Sequence, residues 1–191
     1  IIFVTLTIIL SLAVFSLILQ SISKNNDKAI FIESDLKNIK LIDFDNNHKN
    51  VLDILSNPSI FFFGFTNCPD VCPLTLTKLS LTLQKLKNKK KLQIYFVSLD
   101  PERDSPEILK NYLMSFNNEI VGLTSDYENL LKLTKVFDVK FNKRKTADNY
   151  TIDHSSTSLL LVNGKIFDKI LFEDDLNTSM KKINSFIEYL N

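Results

Sequence analysis

Continuous apolar runs at 60–65 (IFFFGF) and 92–99 (LQIYFVSL) are too short for helices and do not alternate. That pattern predicts strands covered on both faces. A shorter run at 120–123 predicts a third strand, and 39–44 a first one, followed by an Asn-rich turn at 45–50. After Cys72, the apolar positions Leu76, Leu79, Leu83 and Leu86 recur as one face of a helix. The lysine-rich 87–91 reads as its solvated end, where cations suit the helix dipole. Ser105, Pro106 and Glu107 supply an N-cap, a first-turn proline and a first-turn acid. Behind them Ile108, Leu109, Tyr112, Leu113 and Phe116 line one face. Ser125 and Glu128 match a capping box, with Leu130, Leu131, Thr134 and Phe137 along the helix that follows.

Towards the end, 139–141 reads as a short strand and 142–149 as a basic polar loop, of which Lys143, Arg144 and Lys145 are the solvated part. Asn163-Gly164 between two apolar runs, 158–162 and 165–171, is the dipeptide of a type I′ hairpin. Asp174 or Asp175 caps a final helix with Leu176, Met180, Ile183, Ile187 and Leu190 inward. Strands and helices in this order, with buried central strands, predict an α/β three-layer sandwich.

Residues 1–19 carry no charge, the first charged residue being Lys24, and about 20 apolar residues span a bilayer core. A transmembrane anchor over 1–23, a polar linker over 24–38 and one domain over 39–191 are expected. Ser21-Ile22-Ser23 would also pass as a signal-peptide cleavage site, but a signal core is usually only ~7–15 residues. A chain of 191 residues with 45% hydrophobic content can build a proper core, and the net charge of +1 gives no field for nucleic acid or an acidic substrate. Two cysteines exclude a small disulfide scaffold.

Those two, Cys68 and Cys72, lie in 61–73 (FFFGFTNCPDVCP), at the end of the most aromatic strand and the start of a helix. Inert buried thiols are the bland alternative. A disulfide between residues so close in sequence would stabilise little. A helix start favours the thiolate, and the four-residue spacing on a first turn puts both sulfurs on one face. A reactive pair at a strand's carboxyl end is where a thioredoxin-like domain carries its site. Thioredoxins use Cys-x-x-Cys; the longer Cys-x-x-x-Cys leaves room for a metal. Functional cysteines behind an N-terminal anchor place the domain on a periplasmic or intermembrane side.

Two thiolates need a third donor. Of the two histidines, His48 falls in the Asn-rich turn and reads as solvated, whereas His154 follows Asp153 just before a strand that this fold brings near the cysteine loop. Two soft thiolates and an imidazole suit Cu(I) and can hold Cu(II). Structural zinc usually takes four protein ligands, and no fourth stands out. Asp100, before Pro101, and Asp153 are candidates to support the ligands from behind.

The blocks 63–73 (FGFTNCPDVCP), 98–104 (SLDPERD) and 153–154 (DH) resemble the three signature blocks of the Sco/SenC copper-binding proteins. The resemblance runs from about residue 39 to the end of the sequence. It implies a thioredoxin fold, one copper per chain on Cys68, Cys72 and His154, and Asp100 near the metal. It also implies a role in maturing the CuA site of cytochrome c oxidase subunit II, with an upstream copper donor. Departures are local: no glycine stands in the turn after 41, and no Gly-Lys before the core strand.

Two functions follow. A copper chaperone would pass its metal by ligand exchange. A thiol–disulfide reductase would keep the CuA cysteines reduced, with Cys68 and Cys72 as its redox pair. His154 separates them, since disulfide exchange has little need of it. A peroxidase on the same fold is disfavoured, because no Thr-x-x-Cys with a matching arginine is present.

Overall fold

The computed structural model of the chain describes residues 14–16, 36–86, 92–117, 119–147 and 149–190. The anchor expected over 1–23 and the linker over 24–38 lie outside them, apart from 14–16 and 36–38. Among the described residues no helix is long and apolar enough to cross a membrane.

Among the described residues from 40 on, the elements follow in order: β1 (Lys40–Asp43), β2 (His48–Asn50), α1 (Val51–Leu55), β3 (Ser59–Gly64), α2 (Val71–Lys85), β4 (Gln93–Ser98), α3 (Pro106–Leu113), β5 (Ile120–Thr124), α4 (Tyr127–Val136), β6 (Phe141–Lys145), β7 (Tyr150–His154), β8 (Ser158–Val162), β9 (Lys165–Ile170) and α5 (Leu176–Tyr189). Seven strands form one sheet in the order β2-β1-β5-β4-β3-β8-β9, and β6 and β7 pair apart from it. The parallel trio β3-β4-β5 is central, with antiparallel β8-β9 on one side and β1-β2 on the other.

Alternation along β3 assigns the layers. Phe62 meets Phe96 of β4, and Phe96 meets Tyr112 of α3 (ring centroids 5.8 and 5.9 Å), so α3 covers that face. Phe61 and Phe63 meet Phe137, just past α4, at 5.9 and 6.4 Å on the other face. Every residue of β3 is buried, which is why its sequence does not alternate. Helix α5 packs on α2 and β9, where Phe186 meets Phe167. The three-layer α/β architecture is therefore present.

Most start signals act as the sequence indicates. Ser105 caps α3 with Pro106 behind it, and Asp175 caps α5. Asn163 and Gly164, both at positive φ, turn β8 into β9. Several readings change. The turn after β1 is shorter than expected, and His48 opens β2 opposite Ile42. The capping side chain of α4 is Asp126, and Leu133 takes the buried place expected of exposed Leu131, while Leu130, Thr134 and Phe137 are buried as expected. Ile108 likewise faces solvent, and in α5 it is Phe186, beside Ile183, that is buried. The largest change is at 141–154, where the basic loop is two paired strands. Lysine and arginine hid β6 because its exposed face is solvated and ion-paired.

Gly64 ends β3 at a crowded point. A Cβ there would lie 2.7 Å from the Phe96 ring and 2.8 Å from Cys72 Sγ. Forcing a methyl group into such a space costs about 1–3 kcal/mol. Gly64→Ala is therefore expected to lower unfolding free energy by about that amount in a urea titration; an unchanged midpoint would mean that the strand end can shift freely.

Candidate metal centre

Residues 65–70 leave β3 as a tight loop, in which Cys68 N–H donates to Phe65 O (3.2 Å), and Asp70 precedes α2. Asp70 provides no side-chain cap. Its place is taken by sulfur: Cys72 N–H points at Cys68 Sγ across 3.4 Å. Cys68 thus precedes the helix rather than sitting on its first turn, yet it receives a donor from that turn. A helix N-terminus left open this way favours negative charge.

The two thiols differ sharply. Cys72 is fully buried and Cys68 partly exposed. The hydrogen bond from the Cys72 thiol, more than any other contact, holds Cys68 down to about 4. His154 and the backbone N–H groups of Cys72 and Asp70 help, against partial burial. The same bond and then burial push Cys72 far above the ordinary thiol range. The negative charge therefore favours Cys68 and the proton favours Cys72.

His154 arrives from the separate hairpin. It ends β7, opposite Phe141. Its Nε2 stands 3.5 Å from Cys72 Sγ, and its Nδ1 lies 2.9 Å from Ser155 O. A carbonyl oxygen only accepts, so Nδ1 carries a hydrogen toward Ser155, and Nε2 is the ring nitrogen that faces the sulfurs. The Phe65 ring meets the imidazole edge-on, 5.8 Å between centroids and 79° between planes. The donor atoms of Cys68, Cys72 and His154 all lie within 4.8 Å of one another. Two sulfurs and an imidazole nitrogen converging at the surface fit a soft, exchangeable metal such as copper.

Neither candidate aspartate touches these donors. Asp100, buried, accepts from Arg103 Nε and from Tyr150 Oη (2.7 Å). Its link to the site runs through those partners. Asp153 lies on the opposite side of β7 from His154, as period-two alternation requires, and forms an exposed pair with Arg144 (2.9 Å). Asp104, Thr66 and Ser98 stand closer to the thiol loop than sequence reasoning recognised. Buried Asp104 accepts from Thr66 N (3.1 Å), Thr66 Oγ1 (2.6 Å) and Ser98 Oγ (2.6 Å), tying the loop to the end of β4. Burial raises its pKa, with the two hydroxyls opposing. The signal was available in 98–104: a second aspartate four residues after Asp100, beside a strand end with a serine.

The protein-family model described as SCO1/SenC matches residues 36–188. A SCO2-like protein of Rickettsia felis is 37% identical over 155 residues, covering 78% of this chain and 73% of the relative. The mitochondrial protein SCO1 of Saccharomyces cerevisiae is 38% identical over 137 residues, 69% of this chain but only 46% of that protein. Among solved structures, yeast Sco1 with copper bound superposes with a TM-score of 0.71 at 35% identity, covering 78% of this chain and 86% of that one. The mixed α/β fold is therefore the thioredoxin-like fold of the solved Sco structures.

The division of charge predicts a kinetic signature. An ordinary thiol gains thiolate about a hundredfold between about pH 6 and 8. Cys68, ionised above about 4, is expected to react with iodoacetamide at nearly the same rate across that window. Cys72→Ala removes the bond that lowers it most, so its rate should then climb with pH as an ordinary thiol does. A steep profile in the unaltered protein would contradict the arrangement.

Proposed function

The chain belongs to the SCO1/SenC family, and from that premise we propose that it binds one copper ion through Cys68, Cys72 and His154. The copper is cargo, delivered to the CuA site of cytochrome c oxidase subunit II during oxidase assembly. The observation that carries the reading is the convergence of three donors of the right softness within 4.8 Å at the domain surface. Copper bound to yeast Sco1 on the same fold supports it.

Each donor has a distinct part in the transfer. Partly exposed Cys68 is a ready thiolate and takes incoming copper first. Cys72 gives up its proton as its sulfur engages, which ties tight holding to a reduced, deprotonated pair. His154 closes the set from a different element and, as the only neutral donor, is suited to leave first. A partner's thiolates then replace the cysteines stepwise, without a free ion in between. The sequence at 1–19 suits an anchor that holds this domain at the periplasmic or intermembrane-space face of a membrane, where an upstream donor and subunit II both reach it.

A reductase reading has one observation in its favour, the thiolate beside a protonated thiol. Cys68 sulfur would attack a partner disulfide, forming a mixed disulfide and releasing one partner thiolate. Cys72, after losing its proton, would attack Cys68 sulfur and release the second, leaving the partner reduced and Cys68–Cys72 oxidised. No step of this uses His154.

Anaerobic Cu(I) titration of the reduced chain in detergent decides between them. One tightly held copper per chain is expected, with affinity falling at least about tenfold in His154→Ala. Full affinity in that variant would overturn the three-donor site. No tight copper, with a readily exchanged Cys68–Cys72 pair, would favour the reductase.

A further inference from the structure

Strands β6 and β7 have no ladder to the main sheet, and a lone two-stranded hairpin is marginal in water. Yet β7 carries the imidazole that must meet two sulfurs. Something outside the hairpin therefore has to hold its inner face. On that face, by alternation, stand Tyr150, Ile152 and His154. Ile152 is buried. Tyr150 is seized by the turn that follows β4. Its hydroxyl donates to Asp100 Oδ1 (2.7 Å), and its backbone O accepts from Arg103 Nη1 (3.1 Å). The Arg103 guanidinium lies 3.8 Å from the centre of the Tyr150 ring, and Lys143 Nζ also lies 3.8 Å from it while pairing with Glu102 (2.7 Å).

Arg103 reaches the imidazole by a second route, 6.0 Å from the Phe65 ring that packs edge-on against His154. The same turn is closed by Arg103 and Asp104 N–H donating to Asp100 O, and its far end holds the cysteine loop through Asp104 and Thr66. One short turn thus grips both arms of the site. Among the described residues, Arg103 Nη2 is buried without a hydrogen-bond partner.

We propose that Arg103 and Tyr150 form a latch, held from below by Asp100, that positions His154 against Cys72 and so sets how long the third donor stays engaged. These are positioning residues, acting through β7 and Phe65. The proposal deepens the copper reading of the same site and rests on that reading for its metal readout alone.

The test uses the full chain in detergent with 15N-labelled histidine. The protein has two histidines, and exposed His48 on β2 serves as the internal reference. In Arg103→Met without metal, the His154 ring signals are expected to shift and broaden while those of His48 stay. With copper, release to a Cu(I) chelator should speed up about tenfold. In a His154→Ala background Arg103→Met should add nothing, as a shared pathway requires. Tyr150→Phe removes only the hydroxyl and should move both readouts in the same direction by less, which keeps the test open if Arg103→Met fails to fold. Unchanged His154 signals with an unchanged release rate would overturn the latch, and so would an equal acceleration in the His154→Ala background. Loss of copper binding by the parent protein, with His154 still displaced in Arg103→Met, would sink the metal reading and leave the latch standing.

Discussion

The close approach of Cys72 to the end of β3 is the contact on which the rest of the structure depends. Its sulfur lies where a side chain on Gly64 would begin, with the Phe96 ring against the same spot. That packing fixes the first turn of α2 against the sheet and buries one thiol. The other is left half in solvent, only a short loop away. Because Cys72 is buried, its proton is hard to remove; because its N–H and S–H both face Cys68, the charge settles on the outer sulfur. Chemistry at the surface is thus set by packing in the core.

Three chain segments far apart in sequence meet at this point. The cysteine loop comes from β3, the acidic turn from β4, and the imidazole from a hairpin outside the main sheet. The turn is the joint between the other two, with Asp104 holding the loop and Asp100 with Arg103 holding Tyr150. The exposed pairs Arg144–Asp153 and Lys143–Glu102 add little stability individually, because solvent screens them. The buried acids carry more weight, since Asp104 has both hydroxyl donors and no route to water.

The sequence made the core strands, the helix starts and the three donors legible for simple reasons. The run before Gly64 could only be a strand buried on both faces, and Ser105-Pro106 could only begin a helix. The cysteine block and the Asp-His pair were distinctive enough to be matched as blocks. What stayed hidden were relations that depend on tertiary placement. A strand such as β6, with lysines and an arginine along it, carries no hydrophobic signal. Leu131 and Ile108 sit at helical spacing yet face water, because one residue of phase separates the predicted stripe from the real one. Asp153 stands beside His154 in sequence and opposite it in space, an inversion that follows once 150–154 is a strand rather than a loop end. Tyr150 and Arg103 gave no local sign of their stacking.

Copper carriage and disulfide exchange would draw on the same two cysteines, so an assay that involves both does not separate them. The direct measurement is X-ray absorption at the copper edge of the anaerobically loaded, reduced protein. Two sulfur neighbours and one imidazole nitrogen are expected, the nitrogen disappearing in His154→Ala. A sulfur-only shell in the unaltered protein, or a nitrogen that survives loss of His154, would contradict a site closed by the hairpin.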